Sequence, residues 1–360
     1  MTALNYALIG FGGAGAGFAV AAAARGARIC GWYDCDDAVR SSTDVAGGLS
    51  FEGLGGQGAV ALPKSAVDGA AAVAGADIVV VSTTADRHAA VAREIAPGLA
   101  SGQMVVLHCG YVGGSKVFAD ALASVGGPQG VAVFELNNTL HLAGKLNPST
   151  VVIKGQKRWL ELAGLPEAKE NPHYAAFLEQ FPEFTYSANV LESGLNNPNC
   201  IGHVPAYIGG AITLDRDMGD LTTGILHFDE ARMGRVNVIA AALEQERDRV
   251  MRAAGLTPMP TAEFSRRCYP AGTRLFGAIP RFGPKLQKRF LHEDVPCSLV
   301  PLEALGRQVG AATPLTAALI AIANTLEAVD FRAIGRNEQV LPANWMRSYG
   351  AAAHQQKAAV

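Results

Sequence analysis

The sequence lacks the features that suit a protein to nucleic acid, to a membrane or to a structural metal. Its 32 Asp and Glu residues slightly outnumber 30 Lys and Arg residues, and a net charge of −2 leaves no basic field for nucleic acid. Beyond residue 24 no uninterrupted hydrophobic run is long enough for a membrane anchor. The six cysteines form neither a C-x-x-C pair nor a His–Cys cluster of zinc spacing. We expect no metal, and a cytoplasmic protein that binds small molecules or copies of itself.

What the sequence does contain is a glycine-rich turn near its start, in the run Y-A-L-I-G-F-G-G-A-G that ends at Gly15. A short apolar strand precedes the glycines, an alanine-rich helix is predicted after them, and a second strand, Arg28 to Tyr33, ends at Asp34. Such glycines allow a tight turn and a close approach of the backbone to a pyrophosphate, to which the helix offers its free N–H groups. The pattern predicts a dinucleotide site at Gly10, Phe11, Gly12, Gly13, Ala14, Gly15 and Asp34.

The carboxylate of Asp34 indicates which dinucleotide binds. It can accept hydrogen bonds from both hydroxyls of the adenosine ribose and would repel a 2′-phosphate, and the next three residues supply no arginine. NAD is therefore predicted in preference to NADP. Two other interpretations are that Asp34 only caps the turn, and that the uncharged segment Ala7–Ala24 is a signal peptide or membrane span. The five glycines of that segment and the lack of a basic stretch before it argue against the second.

The first half of the chain alternates predicted strands with predicted helices. The strands at residues 77–82, 103–108 and 130–135 are apolar between their ends, which is typical of a parallel sheet covered on both faces. We predict a doubly wound parallel sheet of the Rossmann type over residues 1–188. Residues 47–58 are interpreted as a glycine-rich excursion, and residues 150–154 as a strand that extends or covers the sheet.

Residues 189–360 show a different pattern, with apolar residues at a helical period and no convincing strand. Thr313-Pro314 is a typical helix start, with a capping residue followed by proline in the first turn. The fold class is therefore α/β followed by an all-helical C-terminal domain. Since ligands of doubly wound sheets lie at the carboxyl ends of the strands, the helical domain is expected to close over a nicotinamide and to contact the substrate.

Hydride transfer to a carbonyl or imine needs a proton donor, for which eight histidines compete. His203 has the best surroundings, because Asn197 and a following proline predict a helix start that places Asn199 and His203 on one face. A histidine hydrogen-bonded in the core fits the pattern equally well. His88 and His141 are rivals, since each follows a predicted strand toward the cofactor-facing edge.

A second polar cluster combines Arg289 with Glu293 and Asp294 in the helical half. A surface ion network is the ordinary interpretation of such a cluster. However, Asp294 precedes Val295-Pro296, where the residue before proline favours an extended backbone, and an apolar helix follows. Asp294 is therefore expected at a fixed and partly enclosed corner, although spacing alone does not show that it meets His203.

The helical half carries the segments Asn197-x-Asn199-x-x-x-His203, Arg289-x-x-x-Glu293-Asp294-Val-Pro-x-x-Leu-Val-Pro-Leu-x-x-Leu-Gly306, Thr313-Pro-Leu and Val329-Asp-Phe-Arg-x-x-Gly335-Arg336. With Gly113-Gly114 and Glu135 in the first half, they resemble the opine dehydrogenases, the octopine and nopaline dehydrogenase family, nearly end to end. The resemblance implies a Rossmann domain joined to a helical one. It also implies an NAD(P)-dependent oxidoreductase acting on CH–NH donors, which condenses an amino acid with a 2-oxo acid such as pyruvate.

The resemblance assigns roles to four residues of the helical half. The catalytic pair of the family falls on His203 and Asp294. Arg289 matches the basic residue five positions before the aspartate and would clamp a substrate carboxylate, and Asn199 would also contact substrate. The expected product is an N-(carboxyalkyl) amino acid, formed reversibly, and family members of this length often pair as homodimers.

The sequence departs from the family at the expected amino-acid pocket. Val204 and Gly210 occupy positions where many relatives have proline and asparagine. After the strand that ends at Glu135, Lys145 replaces an arginine that is usual in the family. Two alternatives of other kinds stay open. One is a 2-oxo acid or 3-hydroxy acid dehydrogenase on the same fold, and the other is a nucleotide-binding sensor without turnover.

Overall fold

The computed structural model describes residues 4–216, 234–270 and 289–349, with the side chains of 212–216 excepted. These residues form two compact units. The sheet unit comprises residues 4–110, 114–187 and 268–270, and the helical unit comprises residues 111–113, 188–216, 234–267 and 289–349.

The sheet unit contains β-strands at β1 Asn5–Ile9, β2 Arg28–Tyr33, β3 Gly48–Gly53, β4 Gly58–Ala61, β5 Ile78–Val81, β6 Met104–Leu107, β7 Ala132–Leu136, β8 His141–Asn147, β9 Thr150–Gln156, β10 Leu160–Gly164 and β11 Phe184–Ser187. Its α-helices are α1 Gly13–Ala24, α2 Asp37–Val45, α3 Gly69–Val73, α4 His88–Ile95, α5 Gly114–Ser124 and α6 Tyr174–Gln180. Short 3₁₀ turns lie at Ala85–Arg87, Ala96–Gly98 and Ala168–Glu170.

Seven strands form the main sheet in the order β11-β10-β7-β6-β5-β1-β2. The five strands from β7 to β2 are parallel, while β10 runs antiparallel to β7 and β11 runs parallel to β10. Strands β5 and β6 are wholly buried, as expected for a sheet covered on both faces. The predicted doubly wound sheet is confirmed. Since β1 lies between β2 and β5, the winding direction changes at the carboxyl end of β1, where such sheets bind ligands.

A second sheet, in the order β4-β3-β9-β8, is the main feature that the sequence did not predict. The segment interpreted as a glycine-rich excursion contains all of β3 and the first residue of β4. The strand expected at residues 150–154 pairs in this small sheet instead of the main one. Glycines make the pairing possible, because a Cβ on Gly53 would lie 2.1 Å from the carbonyl oxygen of Ile153. The small sheet packs on α1, where Gly13 and Gly17 face β8.

The helical unit contains α7 Val190–Leu195, α8 Asn199–Arg216, α9 Gly234–Ala253, α10 Thr261–Cys268, a π-helical turn at Val295–Leu299, α11 Val300–Val309, α12 Pro314–Glu327 and α13 Phe331–Ile334. No strand occurs among its described residues, so the all-helical prediction is confirmed for them. A core of aliphatic residues, one cysteine and one phenylalanine joins α8, α9 and the elements from the π-helical turn to α13, and includes Val204, Leu243, Leu299, Ile320 and Phe331. Within the described ranges, no helix has the length and apolar character to cross a membrane.

Candidate active site

The glycine turn after β1 has the geometry that the sequence predicted. Gly10 has a φ of +86°, and a Cβ there would lie 2.9 Å from the backbone of Ser82. A Cβ on Gly15 would lie 2.0 Å from the carbonyl oxygen of Gly10, so neither position has room for a side chain. Gly12, by contrast, is exposed, and a Cβ there would meet no atom within 4 Å. The turn is therefore tightly closed on the protein side and open on the Gly12 side.

Helix α1 begins at Gly13 and has neither a side-chain cap nor an acidic residue in its first turn. Its first N–H groups are consequently available to an anion, which the positive end of the helix dipole also attracts. Asp34 adjoins the turn, because its Oδ2 accepts a hydrogen bond of 2.6 Å from the Phe11 N–H. Its Oδ1 accepts one of 2.9 Å from the Asp36 N–H, so Asp34 also caps the turn after β2. These groups suit a dinucleotide phosphate and ribose.

His203 and Asp294, which the sequence could not bring together by spacing, are direct partners. The Nδ1 of His203 lies 3.0 Å from Oδ2 of Asp294, although the two residues are 91 positions apart. Asp294 is 0% exposed. The imidazole also stacks on the ring of Phe290, with 4.0 Å between ring centroids. A carboxylate at Nδ1 holds a proton on that nitrogen, so that Nε2 is the atom that can exchange a proton with a substrate.

The backbone of Asp294 differs from the prediction. Instead of an extended segment before Pro296, Asp294 has helical φ and ψ angles of −69° and −35° and leads into the π-helical turn at Val295–Leu299. Since residues 289–292 are already helical, Pro296 lies within a helical stretch, and the wider π-helical turn accommodates its missing N–H. Cys297 restores the pattern, as its N–H donates to the carbonyl of Glu293 over 3.0 Å. Asp294 is enclosed, as expected, but its backbone is helical and not extended.

Asn199 begins α8 as predicted, and Asn197 accepts a hydrogen bond of 3.0 Å from its N–H. One helical turn before His203, the Asn199 side-chain amide donates to the hydroxyl of Tyr111 over 3.0 Å. Tyr111 is buried and has a φ of +58°, which is uncommon for a residue with a side chain. Sequence analysis missed Tyr111, and the preceding strand gave no signal for it.

Arg289 lies close to the pair. Its Nε is 3.4 Å from Oε2 of Glu293, and its guanidinium carbon is 6.0 Å from the centroid of the Phe290 ring that stacks on His203. The Glu293 side chain is 4% exposed and that of Arg289 is 30% exposed. Because the Glu293 side chain is buried, the cluster is more than a surface ion network. The helical unit thus places Arg289 near the His203–Asp294 pair, with Asn199 one helical turn before His203.

The rival histidines lie inside the sheet unit. His88 is 0% exposed and packs near Gly114, and His141 packs against Gly17 of α1. Burial lowers the pKa of His141 to about 4. His108 is also buried, accepts a hydrogen bond of 2.8 Å from the Leu140 N–H, and has its pKa lowered by burial to about 3. These buried environments keep the imidazoles of His108 and His141 neutral near pH 7, as is usual for histidines in a protein core.

Two cations near Asp34 were not assigned to the cofactor site from the sequence. Arg40 of α2 donates to the carbonyl of Asp34 and to the carboxylate of Asp37. Lys145 of β8, which the resemblance gave as the replacement of a family arginine, lies with Nζ 5.1 Å from the centroid of the Phe11 ring. Its position depends on the packing of the small sheet against α1, which sequence periodicity does not reveal. Among the described residues, no three His, Cys, Asp or Glu side chains are grouped so as to hold a metal ion.

Comparison with known proteins gives a consistent set of similarities. The family model of the NAD/NADP octopine/nopaline dehydrogenase alpha-helical domain matches residues 186–327. An opine dehydrogenase of Arthrobacter sp. (strain 1C) is 28% identical over 356 residues, which cover 96% of this chain and 97% of that protein.

Two solved structures share the fold. Octopine dehydrogenase, in complex with NADH and agmatine, is 18% identical, with a TM-score of 0.67 and coverage of 94% of this chain and 95% of that one. Yersinopine dehydrogenase with NADP+ bound is 15% identical, with a TM-score of 0.66 and coverage of 97% and 99%.

Proposed function

We propose that the chain is an opine dehydrogenase, which condenses an amino acid with a 2-oxo acid such as pyruvate and reduces the resulting imine. The reaction yields an N-(carboxyalkyl) amino acid and is reversible. The enzyme is an NAD(P)-dependent oxidoreductase that acts on CH–NH donors. The observation that carries the chemical part of the proposal is the contact of His203 with the buried carboxylate of Asp294.

We assign the proton transfers of this reaction to His203. Attack of the amine on the keto carbon gives a carbinolamine, whose hydroxyl must leave as water when the imine forms. His203, as imidazolium, donates the required proton from Nε2, and Asp294 stabilises the cation through Nδ1–H. Since Asp294 is buried, its charge attracts that cation with little screening by water. Asp294 acts through His203 and is therefore a positioning residue.

Both substrates carry carboxylates, for which the helical unit supplies a cation and an amide. Arg289 can hold a carboxylate with two parallel N–H donors, and its ion pair with Glu293 limits the directions it can adopt. Asn199, held at its amide by Tyr111, presents a further polar group on the His203 face of α8. We assign substrate binding to Arg289 and Asn199.

The cofactor is a nicotinamide dinucleotide, which supplies the hydride that reduces the imine carbon. Gly10, Phe11, Gly12, Gly13, Ala14 and Gly15 would hold its pyrophosphate at the start of α1, and Asp34 would accept hydrogen bonds from the adenosine ribose. On the basis of Asp34 we propose NADH as the preferred form. The two solved relatives hold NADH and NADP+ respectively, so they support the class of cofactor without deciding between the two.

We further propose that residues 1–188 act as the cofactor domain and residues 189–360 as the substrate domain of a cytoplasmic homodimer. The six free cysteines are consistent with a reducing compartment. Light scattering of the purified protein tests the dimer directly, since a mass near that of one chain would contradict it.

The reaction is tested by incubating the full chain with NADH, pyruvate and a panel of amino acids. We expect NADH to be consumed only when both substrates are present, and mass spectrometry to detect the corresponding secondary amine. Equal consumption with the oxo acid alone would identify an ordinary 2-oxo acid dehydrogenase instead. Binding of NADH without turnover of any substrate pair would favour the sensor.

A further inference from the structure

Two cations flank Asp34 in the sheet unit, and they arrive from different directions. Arg40 folds back from α2 onto the backbone of Asp34, with its guanidinium carbon 5.0 Å from the centroid of the Tyr33 ring. Lys145 arrives from β8 and lies over Phe11, whose N–H is bound to Asp34. The residue that should repel a ribose 2′-phosphate is therefore bordered by two positive charges.

Lys145 is carried to this place by the contact of the small sheet with α1. Space left by the missing side chain of Gly13 lets the carbonyl of Ala143 approach, since a Cβ on Gly13 would lie 2.6 Å from that oxygen. Lys145 is two residues further along β8 and therefore extends from the same face of the strand, just beyond the start of the helix. The cation is thus fixed beside the glycine turn by backbone packing.

The ammonium group of Lys145 lacks the acceptor that a buried cation normally has. Its Nζ is shielded from solvent and makes no hydrogen bond to any residue that the structure describes. Contact with an aromatic ring compensates only part of the lost hydration. Burial lowers the pKa of Lys145 to about 8, while Asp34 opposes this change. A buried donor of this kind calls for an anion that binds beside it.

Arg40 can also exchange its present ion pair for one with a phosphate at a small cost in free energy. Its ion pair is with Asp37, whose side chain is 89% exposed, and such exposed pairs contribute little to stability. Asp34, in contrast, is already bound through both oxygens by the N–H groups of Phe11 and Asp36. A phosphate on the adenosine ribose would therefore meet two available cations and a carboxylate whose charge is partly satisfied.

We propose that Lys145 and Arg40 form a 2′-phosphate site, so that the chain also uses NADPH and its preference for NADH is only modest. Lys145 is the residue that determines this specificity. The inference rests on the proposed function for the identity of the cofactor, but the phosphate site itself can be tested with nucleotides that lack nicotinamide.

The test measures dissociation constants of NADH, NADPH, 2′,5′-ADP and 5′-AMP by calorimetry on the full chain and its variants. For Lys145→Met we expect binding of NADPH and of 2′,5′-ADP to weaken about tenfold, as for loss of a charge-assisted hydrogen bond. Binding of NADH and 5′-AMP should change less than twofold. Arg40→Met should weaken binding of NADPH and of 2′,5′-ADP by a smaller factor than Lys145→Met does.

Lys169→Met is the matched control, because Lys169 also lies over an aromatic ring, with Nζ 4.5 Å from the centroid of Tyr186 on β11 at the opposite edge of the main sheet. It should leave all four constants unchanged. Equal weakening of NADH and NADPH by Lys145→Met would place the lysine at a phosphate common to both and overturn the proposal, as would no change in either. If 2′,5′-ADP binds as expected but no substrate pair turns over, the phosphate site stands and the proposed reaction fails.

Discussion

The glycine turn of the sheet unit and the His203–Asp294 pair of the helical unit are built on opposite principles. The turn consists of backbone, with its partners Phe11 and Asp34 only 23 residues apart, and it depends on the absence of side chains. The pair consists of two side chains 91 residues apart, and it depends on their presence. The first site should therefore fail when atoms are added, and the second when atoms are removed.

The largest effect is expected from His203→Ala. Loss of the proposed proton donor should lower kcat by about a thousandfold, within the usual range for general acid catalysis, and should leave the dissociation constant of NADH unchanged. Steady-state kinetics and NADH titration provide the two measurements. His292→Ala is the control, because His292 also pairs with a carboxylate, Glu327, over 2.9 Å in the same unit. Unchanged turnover in the first variant would refute the assignment of the proton donor.

Single substitutions of glycine by alanine test the two sides of the glycine turn separately. Gly15→Ala places a Cβ 2.0 Å from the carbonyl oxygen of Gly10, so we expect a lower Tm and at least about a tenfold loss of NADH binding. Gly12→Ala meets no protein atom within 4 Å and should leave the Tm unchanged. Its methyl group would nevertheless occupy the open side, so NADH binding alone should weaken. Tight binding by Gly12→Ala would show that the dinucleotide lies elsewhere.

The smallest expected effect is a loss of stability of the sheet unit in mild acid. His108 and His141 have pKa values lowered by burial to about 3 and about 4, whereas unfolding restores an ordinary value of about 6.5. The unfolded state then binds more protons, so the free energy of unfolding falls as the pH drops below about 6.5. Each histidine contributes at most about 1.4 kcal/mol per pH unit.

Urea titrations followed by tryptophan fluorescence, at pH 7, 6 and 5, measure this loss, since Trp32 is buried in the same unit. His141→Gln should make the dependence on pH shallower, because one of the two titrating groups is gone. A midpoint that stays constant from pH 7 to pH 5 in the unaltered protein would show that neither imidazole is held neutral.

The same contrast explains what the sequence could predict. The glycine turn and the apolar strands are local patterns, and they predicted the main sheet and the tight turn after its first strand correctly. The contact of His203 with Asp294 joins distant segments, so only the family resemblance indicated it. The small sheet was missed because β3 is stabilised by pairing with β9, about a hundred residues later in the chain. The surroundings of Lys145 were not predicted for the same reason, as its neighbours are set by that sheet.

The cover that β8 places over α1 also has a consequence during synthesis. Helix α1 carries no charged residue, and most of it is buried in the finished protein. Its outer surface is closed by strands that end only at Gln156, so a ribosome makes more than a hundred further residues before that surface can be protected. The nascent chain therefore exposes an apolar helix for several seconds, at about 5–20 residues per second, and this interval is when chaperones would have to act on it.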